Sequence, residues 1–304
     1  MSRSFATLLR VDLVLRILAA IFGASILVYI LLPILMTLAM SFSAGQQLRF
    51  PIRNLSLEWY LDFAGSAQWT SALANSLLVA TGTMVLSTSS GVAAAWAFTR
   101  NTIRGSSVLY LIIMLPLFMP GVVLGLGIAM TFSRVQVFGV SLFGSPLLVI
   151  LAHSLWAMPL VFLLMEAVFR TVDQRLVEAA LDLGARPWRV FVEVVLPACT
   201  TGIFSSALFA FVISLNEFVM ALFLTDRDSQ TLPVLMWLSL RSAATPMLAV
   251  ASMTLTGSVL IGLALVAVAR TRRMQHRLAR WDQSPTGPPR PEAQGLTQAA
   301  HIGQ

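Results

Sequence analysis

The sequence predicts an all-α integral membrane protein with six transmembrane helices and both termini on the cytoplasmic side. Three observations predict it. The 304-residue chain is 57% hydrophobic and only 11% charged, against about 25% charged residues in soluble globular chains. Six apolar segments each exceed the roughly 20 residues a helix needs to cross the hydrocarbon core. Arginines gather on alternate connections between those segments, as topology determinants do.

The spans are read at residues 15–40, 69–98, 107–132, 146–169, 196–224 and 247–269. Residues 1–14 form a cytoplasmic N-terminus. Arg3 and Arg10 precede the first span and Arg16 stands at its start, as in a secretory signal, but its apolar run is longer than the 7–15 residues of a signal's h-region. With the N-terminus inside, the cytoplasmic stretches hold fifteen arginines and the outer loops five: Arg49, Arg53, Arg134, Arg227 and Arg241. The positive-inside rule selects this orientation. Trp59, Trp69 and Trp237 fall near the outer boundary, where an aromatic belt belongs. The six-helix domain covers 15–275. Residues 276–304 form a cytoplasmic tail, rich in Pro, Gly and Gln from about Trp281 and expected to be disordered.

Composition excludes several chemistries. All twenty basic residues are Arg, with no Lys. A P-loop and a Schiff base both need a Lys, so neither is available. The single Cys199 excludes an internal disulfide and a cysteine-rich zinc site, and reads as a small buried residue. His153, His276 and His301 lie in separate regions and form no ligand pair, so no metal site is expected. The basic pI does not indicate nucleic-acid binding, because the arginines lie between apolar spans rather than on a polar face. The chain is read as no enzyme.

The most informative stretch is the cytoplasmic loop 171–195. Asp173 stands where an acidic side chain caps a helix start. Leu176, Ala179, Ala180 and Leu183 follow at helical spacing on one face. Gly184 suits a left-handed helix stop, and Pro187 suits the first turn of a second short helix. Pro197 then opens the fifth span. Two small side chains, Ala179 and Ala180, followed by a turn glycine let a partner's backbone approach closely.

This loop resembles the EAA loop of ABC importer permeases. Glu178-Ala179-Ala180 is followed after three residues by Gly184, and after nine more by Val194, Val195, Leu196 and Pro197. The departure is Val194 where Ile is commonest. The resemblance implies the type I ABC importer permease fold in a bacterial inner membrane. It implies that the loop docks in a groove of a separate ATPase dimer, with Glu178 meeting polar or basic groups there and Gly184 permitting the bend. ATP and Mg would be bound by that partner, and no cofactor by this chain. A second, related permease chain and a periplasmic solute-binding protein are the other implied partners, besides the lipid bilayer.

Further likeness narrows the branch. The stretch Met114-Leu-Pro-Leu-Phe-Met-Pro-Gly-Val-Val-Leu-Gly125 resembles the third span of the branch that includes spermidine/putrescine permeases, nearest to their C-type chain. The stretch Ser214-Leu-Asn-Glu-Phe-Val-Met-Ala-Leu-Phe-Leu224 resembles its fifth span, and Thr231-Leu-Pro-Val234 with Arg241 and Thr245-Pro246 resembles the next segment. Many polyamine permeases have Asp-Glu-Phe where this chain has Asn216-Glu217-Phe218. The implied solute is a polyamine or similar small polar molecule, with opine- or phosphonate-type solutes as the alternative. Pro116 and Pro120 are expected to kink the third span.

Few polar residues enter the spans. Glu217 is the carboxylate well inside one, roughly 12 Å from its outer end at 1.5 Å per residue. His153 lies about 10 Å deep and Asn75 about 9 Å deep on the same rise, with Asn216 beside Glu217. A charge at the bilayer centre costs about 2.5–3.5 kcal/mol, so these four are expected to avoid lipid and face a translocation pathway or its outer gate. A helix-packing network is the plainer alternative. Glu217 and His153 also admit an ion-coupled secondary transporter, which ATP depletion with the ion gradient maintained would distinguish. Glu166 is expected to pair with Arg170 at i+4.

Overall fold

The computed structural model describes residues 2–282 apart from 48–50, 53, 101, 102, 104 and 138. Among the described residues the regular structure is helical except for a hairpin of two-residue strands, β1 (Gln136–Val137) with β2 (Val140–Ser141), and an isolated bridge between Ser43 and Leu55. The helices are α1 (Ser2–Ser41), α2 (Glu58–Gly65), α3 (Ala67–Arg100), α4 (Ser106–Phe118), α5 (Gly121–Phe132), α6 (Pro146–Arg170) and α7 (Gln174–Asp182). Next come α8 (Pro187–Arg189), a wide π-type turn over Val190–Val195, α9 (Leu196–Ala198), α10 (Thr200–Asn216), α11 (Val219–Leu224), α12 (Leu232–Ser242) and α13 (Met247–Asp282).

Four of these include uninterrupted stretches long and apolar enough to cross a membrane: 14–41, 67–100, 146–170 and 247–264. Two bent pairs raise the number to six if each is one span. The third expected span is α4 and α5, bent by 100°. Pro120, which has no N–H to donate, precedes α5 at its N-cap, while Pro116 lies in the last turn of α4. The fifth expected span bends by 78° between Ala198 and Thr200, just beyond Pro197, and breaks again at Glu217–Phe218 between α10 and α11. Hydropathy shows none of these breaks, because the residues at them remain apolar on average.

The chain divides into two compact units, 1–251 and 252–304. In the first, α3, α6 and α10 pack together as the central group. Glycines permit that closeness. A methyl group on Gly91 would stand 2.6 Å from Val161 Cγ1, and one on Gly202 would stand 2.6 Å from Val168 Cγ2. Small residues at helix contacts are how spans approach where lipid removes the hydrophobic drive to associate. Residues 14–35 of α1 are exposed, and enclosure begins only at its end, where the buried Ser41 Oγ meets Tyr60 Oη at 2.9 Å. Cys199 is buried as expected.

In the second unit the described residues are 252–282, all within α13. Residues 276–282, expected to begin a disordered tail, are helical instead. The run from Arg270 to Asp282 contains no Pro or Gly to stop a helix. The rest of the expected tail, 283–304, lies outside the described residues.

Candidate functional site

The loop 171–198 folds as two short helices around a tight stop. The Asp173 carboxylate accepts the Arg175 N–H at 2.9 Å and caps α7. At the other end Gly184 takes φ +83°. Its N–H donates to Leu181 O at 2.8 Å and the Ala185 N–H donates to Ala180 O at 3.1 Å. This pair of bonds is the Schellman arrangement, which satisfies the last carbonyls of a helix and turns the chain out of it. Pro187 opens α8.

One expectation about this loop is corrected. Leu176, Ala179, Ala180 and Leu183 do not share one face. Val177 is buried and Ala180 is half-buried against the core containing Phe169, Val190 and Val195. Leu176, Ala179 and Leu183 point the other way and are exposed, Leu183 by 89%. Glu178 is exposed as well, Leu196 packs partly on the core, and Pro197 is exposed. The helix is thus keyed into its own chain by Val177 and turns a second apolar face outward. The sequence pattern alone does not reveal which face wins, because both are apolar. Glu166 pairs with Arg170 at 2.7 Å, as the i+4 spacing requires.

The polar residues of the spans do not form one ring. His153 and Glu217 meet, with His153 Nε2 at 3.1 Å from Glu217 Oε2. His153 Nδ1 lies 2.8 Å from Ser214 Oγ, and the Ser214 hydroxyl donates to Thr83 Oγ1 at 3.3 Å. The chain Thr83–Ser214–His153–Glu217 therefore links α3, α10, α6 and the break before α11. All four side chains are buried. Glu217 does more than pair: its carboxylate accepts the Met220 N–H at 3.0 Å and the Ala221 N–H at 3.3 Å. These are first-turn donors of α11 that the helix itself leaves unpaired.

The two helix breaks adjoin each other. A methyl group on Gly121, the first residue of α5, would stand 3.6 Å from Glu217 Oε1, and one on Gly125 would stand 3.0 Å from Met220 Cα. The start of α5 thus lies against the start of α11, with Glu217 at the junction. Ser214 and Thr83 carry no sequence signal of their place in this chain, since isolated hydroxyls in apolar helices usually bond to their own backbone.

Asn75 and Asn216 lie elsewhere. Asn75 Nδ2 donates to the backbone carbonyls of Asp228 and Gln230 at 2.9 and 3.1 Å. It ties the loop between α11 and α12 to α3, beside a cavity of about 300 Å³ lined by Gln68, Ser71, Arg227 and Gln230 among others. Asn216 is exposed and donates to Val212 O of its own helix at 2.9 Å. Equal depth along a helix says nothing about azimuth, and it is azimuth that separates these two from the buried pair. Among the described residues, no group of three or more His, Cys, Asp or Glu is placed to hold a metal.

Comparisons with known proteins agree on one class. Residues 87–274 match the model of the family described as binding-protein-dependent transport system inner membrane component. The chain is 29% identical over 249 residues to the putrescine transport system permease protein PotI of Escherichia coli K12, covering 81% of this chain and 88% of that one. It is 26% identical over 250 residues to the spermidine/putrescine transport system permease protein PotC of Haemophilus influenzae, covering 82% and 94%. Its fold is similar to a chain of a bacterial ABC transporter involved in the import of the acidic polysaccharide alginate. There the TM-score is 0.68 at 17% identity, covering 84% of this chain and 95% of that one.

Proposed function

The chain belongs to the family of binding-protein-dependent transport system inner membrane components, and from that premise we propose that it is one of two permease chains enclosing a solute pathway for a polyamine or similar small polar solute. As an ABC importer permease subunit it is a transport component and not an enzyme. In this reading six spans cross the bacterial inner membrane with both termini inside, as the fifteen-to-five arginine distribution favours. A periplasmic binding protein delivers the solute. A dimer of ATPase chains, which bind ATP and Mg, closes beneath the membrane.

The single observation that carries the coupling role is the outward face of α7. Leu176, Ala179 and Leu183 are exposed on a helix whose other face is fixed by the buried Val177. A rigid apolar knob of this kind suits a groove on a partner. Glu178, exposed beside it, supplies a charge for polar or basic groups of the ATPase.

For the pathway, burial discriminates among the candidates. A path between two chains is lined by groups that are exposed on each chain alone. Asn216 is exposed and half-buried Asn75 borders an open cavity, so these two are the better candidates for meeting solute or gate. His153 and Glu217 act from behind by fixing the break between α10 and α11. The polyamine assignment leans on PotI and PotC. The amide of Asn216, where many such permeases carry a carboxylate, keeps opine- or phosphonate-type solutes as the second reading.

The test is reconstitution. The tagged chain, expressed with the ATPase, second permease and binding protein of its system, is expected to retain the ATPase on purification and to lose it on Leu183→Asp. ATP-dependent uptake of labelled putrescine into vesicles is expected. Retention of no ATPase by the wild-type chain would sink the coupling assignment. ATP-dependent uptake of another solute class with none of putrescine would sink only the solute. Uptake that survives ATP depletion and follows an ion gradient would instead support a secondary carrier.

A further inference from the structure

Helix α10 exposes one narrow stripe. Beyond its first residue, the exposed side chains of α10 are Thr201, Ser205, Phe209, Val212 and Asn216. Successive steps of four, four, three and four residues place them within about 80° of arc at 3.6 residues per turn. The opposite side is buried: Ser206 and Ala210 are fully covered and Ser214 nearly so, on a helix that packs against α3 and α6. Ser214 is held from both, by Thr83 Oγ1 of α3 at 3.3 Å and His153 Nδ1 of α6 at 2.8 Å. These contacts fix the rotation of α10 about its axis and turn the stripe away from α3 and α6.

Two kinds of exposed helix face occur among the described spans. Between Ile17 and Leu35 the exposed surface of α1 carries no amide and no charge, as contact with lipid requires. The α10 stripe ends instead in Asn216. Its amide nitrogen donates to Val212 O at 2.9 Å, while its carbonyl oxygen accepts no hydrogen bond among the described residues. An amide group without a partner in hydrocarbon costs roughly 2–7 kcal/mol, so this face calls for water or a polar partner. Thr201 and Ser205 put hydroxyls at the other end of the stripe. Between the polar ends lie Val212 and Phe209, the bulkiest side chain of the five and 57% exposed. Phe209 stands seven residues from Asn216, about 10 Å along the helix at 1.5 Å per residue. An aromatic ring between wet ends makes an apolar neck, which sheds its water readily and stops a hydrated solute until the walls part.

We propose that Phe209 is a gating residue of the solute pathway: the polar ends of the stripe wet the path, and the Phe209 ring closes it between transport cycles. The proposal rests on the reading of the chain as one of two permease chains around a path. Thr83, Ser214 and His153 position the ring from behind by setting the rotation of α10. The break at Glu217 follows Asn216 directly, so a rearrangement there reaches the outer end of the stripe first.

The test uses the complete complex in lipid vesicles, with Cys199→Ser as background so that each introduced cysteine is this chain's single thiol. The first readout is modification by a charged, membrane-impermeant methanethiosulfonate. Asn216→Cys and Phe209→Cys are expected to react at least about tenfold faster than Leu27→Cys on the exposed surface of α1, because a thiol in lipid stays protonated and unreactive. The second is leak without ATP, with labelled putrescine as a small hydrophilic probe. Phe209→Ala is expected to leak about tenfold faster than the background chain, and Phe209→Leu, which keeps apolar bulk, is expected to stay closed. Phe209→Cys is expected to leak until benzyl methanethiosulfonate restores an aromatic ring there, a rescue that a merely structural role would not give. Should Phe209→Ala fail to accumulate, Phe209→Cys decides by the same resealing. If Asn216→Cys and Phe209→Cys both react as slowly as Leu27→Cys, the stripe faces lipid or a dry interface, and the pathway reading of this face falls with the gate. If Asn216→Cys reacts rapidly but loss of the ring at Phe209 opens no leak, the path stands and the gating role of Phe209 is overturned.

Discussion

His153 Nε2 stands 3.1 Å from Glu217 Oε2, and through this contact α6 holds the point where the chain leaves α10 and starts α11. Glu217 serves two clients at once, the imidazole and the N–H groups of Met220 and Ala221. Its removal should therefore be felt twice. Glu217→Ala leaves both N–H groups without their acceptor and takes the carboxylate from beside His153, at about 1–3 kcal/mol for each donor left unpaired. Glu217→Gln keeps one carbonyl oxygen for the N–H groups and should cost less, about 1–3 kcal/mol. Thermal unfolding in detergent should rank wild type, Gln, Ala in falling order. Equal stability of all three would remove Glu217 as the support of this break.

The stop of α7 depends on backbone conformation alone. Gly184 has φ +83° and nothing within 4 Å of where a methyl group would sit. Gly184→Ala should then cost about 1–2 kcal/mol of local stability, the penalty of a left-handed residue with a Cβ, and Gly184→Asn less. Hydrogen exchange at the amides of Gly184 and Ala185, which donate into the end of α7, is the direct measure. Faster exchange in the Ala variant, with Asn between it and wild type, is the expected order.

Two glycines in helices make opposite predictions. A methyl group on Gly91 would stand 2.6 Å from Val161 Cγ1 and 3.1 Å from the backbone nitrogen of Phe162. Gly91→Ala must push α3 from α6, at about 1–3 kcal/mol for overpacking. Gly127, within α5, has nothing within 4 Å. Gly127→Ala should be neutral or stabilising by up to about 1 kcal/mol, because Ala restricts the unfolded chain. Melting temperatures of the two variants should move in different directions.

The loop between α11 and α12 carries a pH dependence. Burial alone would raise the Asp226 carboxyl above its ordinary 3.8, but the Ser229 hydroxyl and the N–H groups of Ser229 and Asp228 donate to the carboxylate and bring it below that value. The folded loop therefore takes up a proton less readily than the unfolded one. The resulting stabilisation is complete above the ordinary carboxylate range and fades as pH falls through the lowered value. Loop order, read by hydrogen exchange at Ser229, should be flat from neutral pH down to about 5 and fall in stronger acid. The substitution Asp226→Asn removes the titrating group and should abolish that acid response.

Much of the coupling loop is legible in the sequence. The capping Asp173, the stop at Gly184 and the restart at Pro187 each follow from local backbone chemistry, and each is found. The pairing of Glu166 with Arg170 is equally local. The break at Pro120 is legible because proline cannot continue a backbone ladder. The break at Glu217 is not, because no residue there forbids a helix. There the chain leaves the helix where a carboxylate finds two backbone donors ahead of it and an imidazole from another helix beside it.

The sequence by itself determined that the chain is apolar and helical, where its long spans lie, and how the loop around Glu178 and Gly184 turns. These depend on hydropathy and on groups a few residues apart. The tertiary structure alone decided that His153 and Glu217 meet while Asn75 and Asn216 do not join them, and that Val177 rather than Leu176 faces inward. Such relations depend on the rotation of one helix against another. Close packing at positions such as Gly91 and Val161 fixes that rotation, and no single helix encodes it.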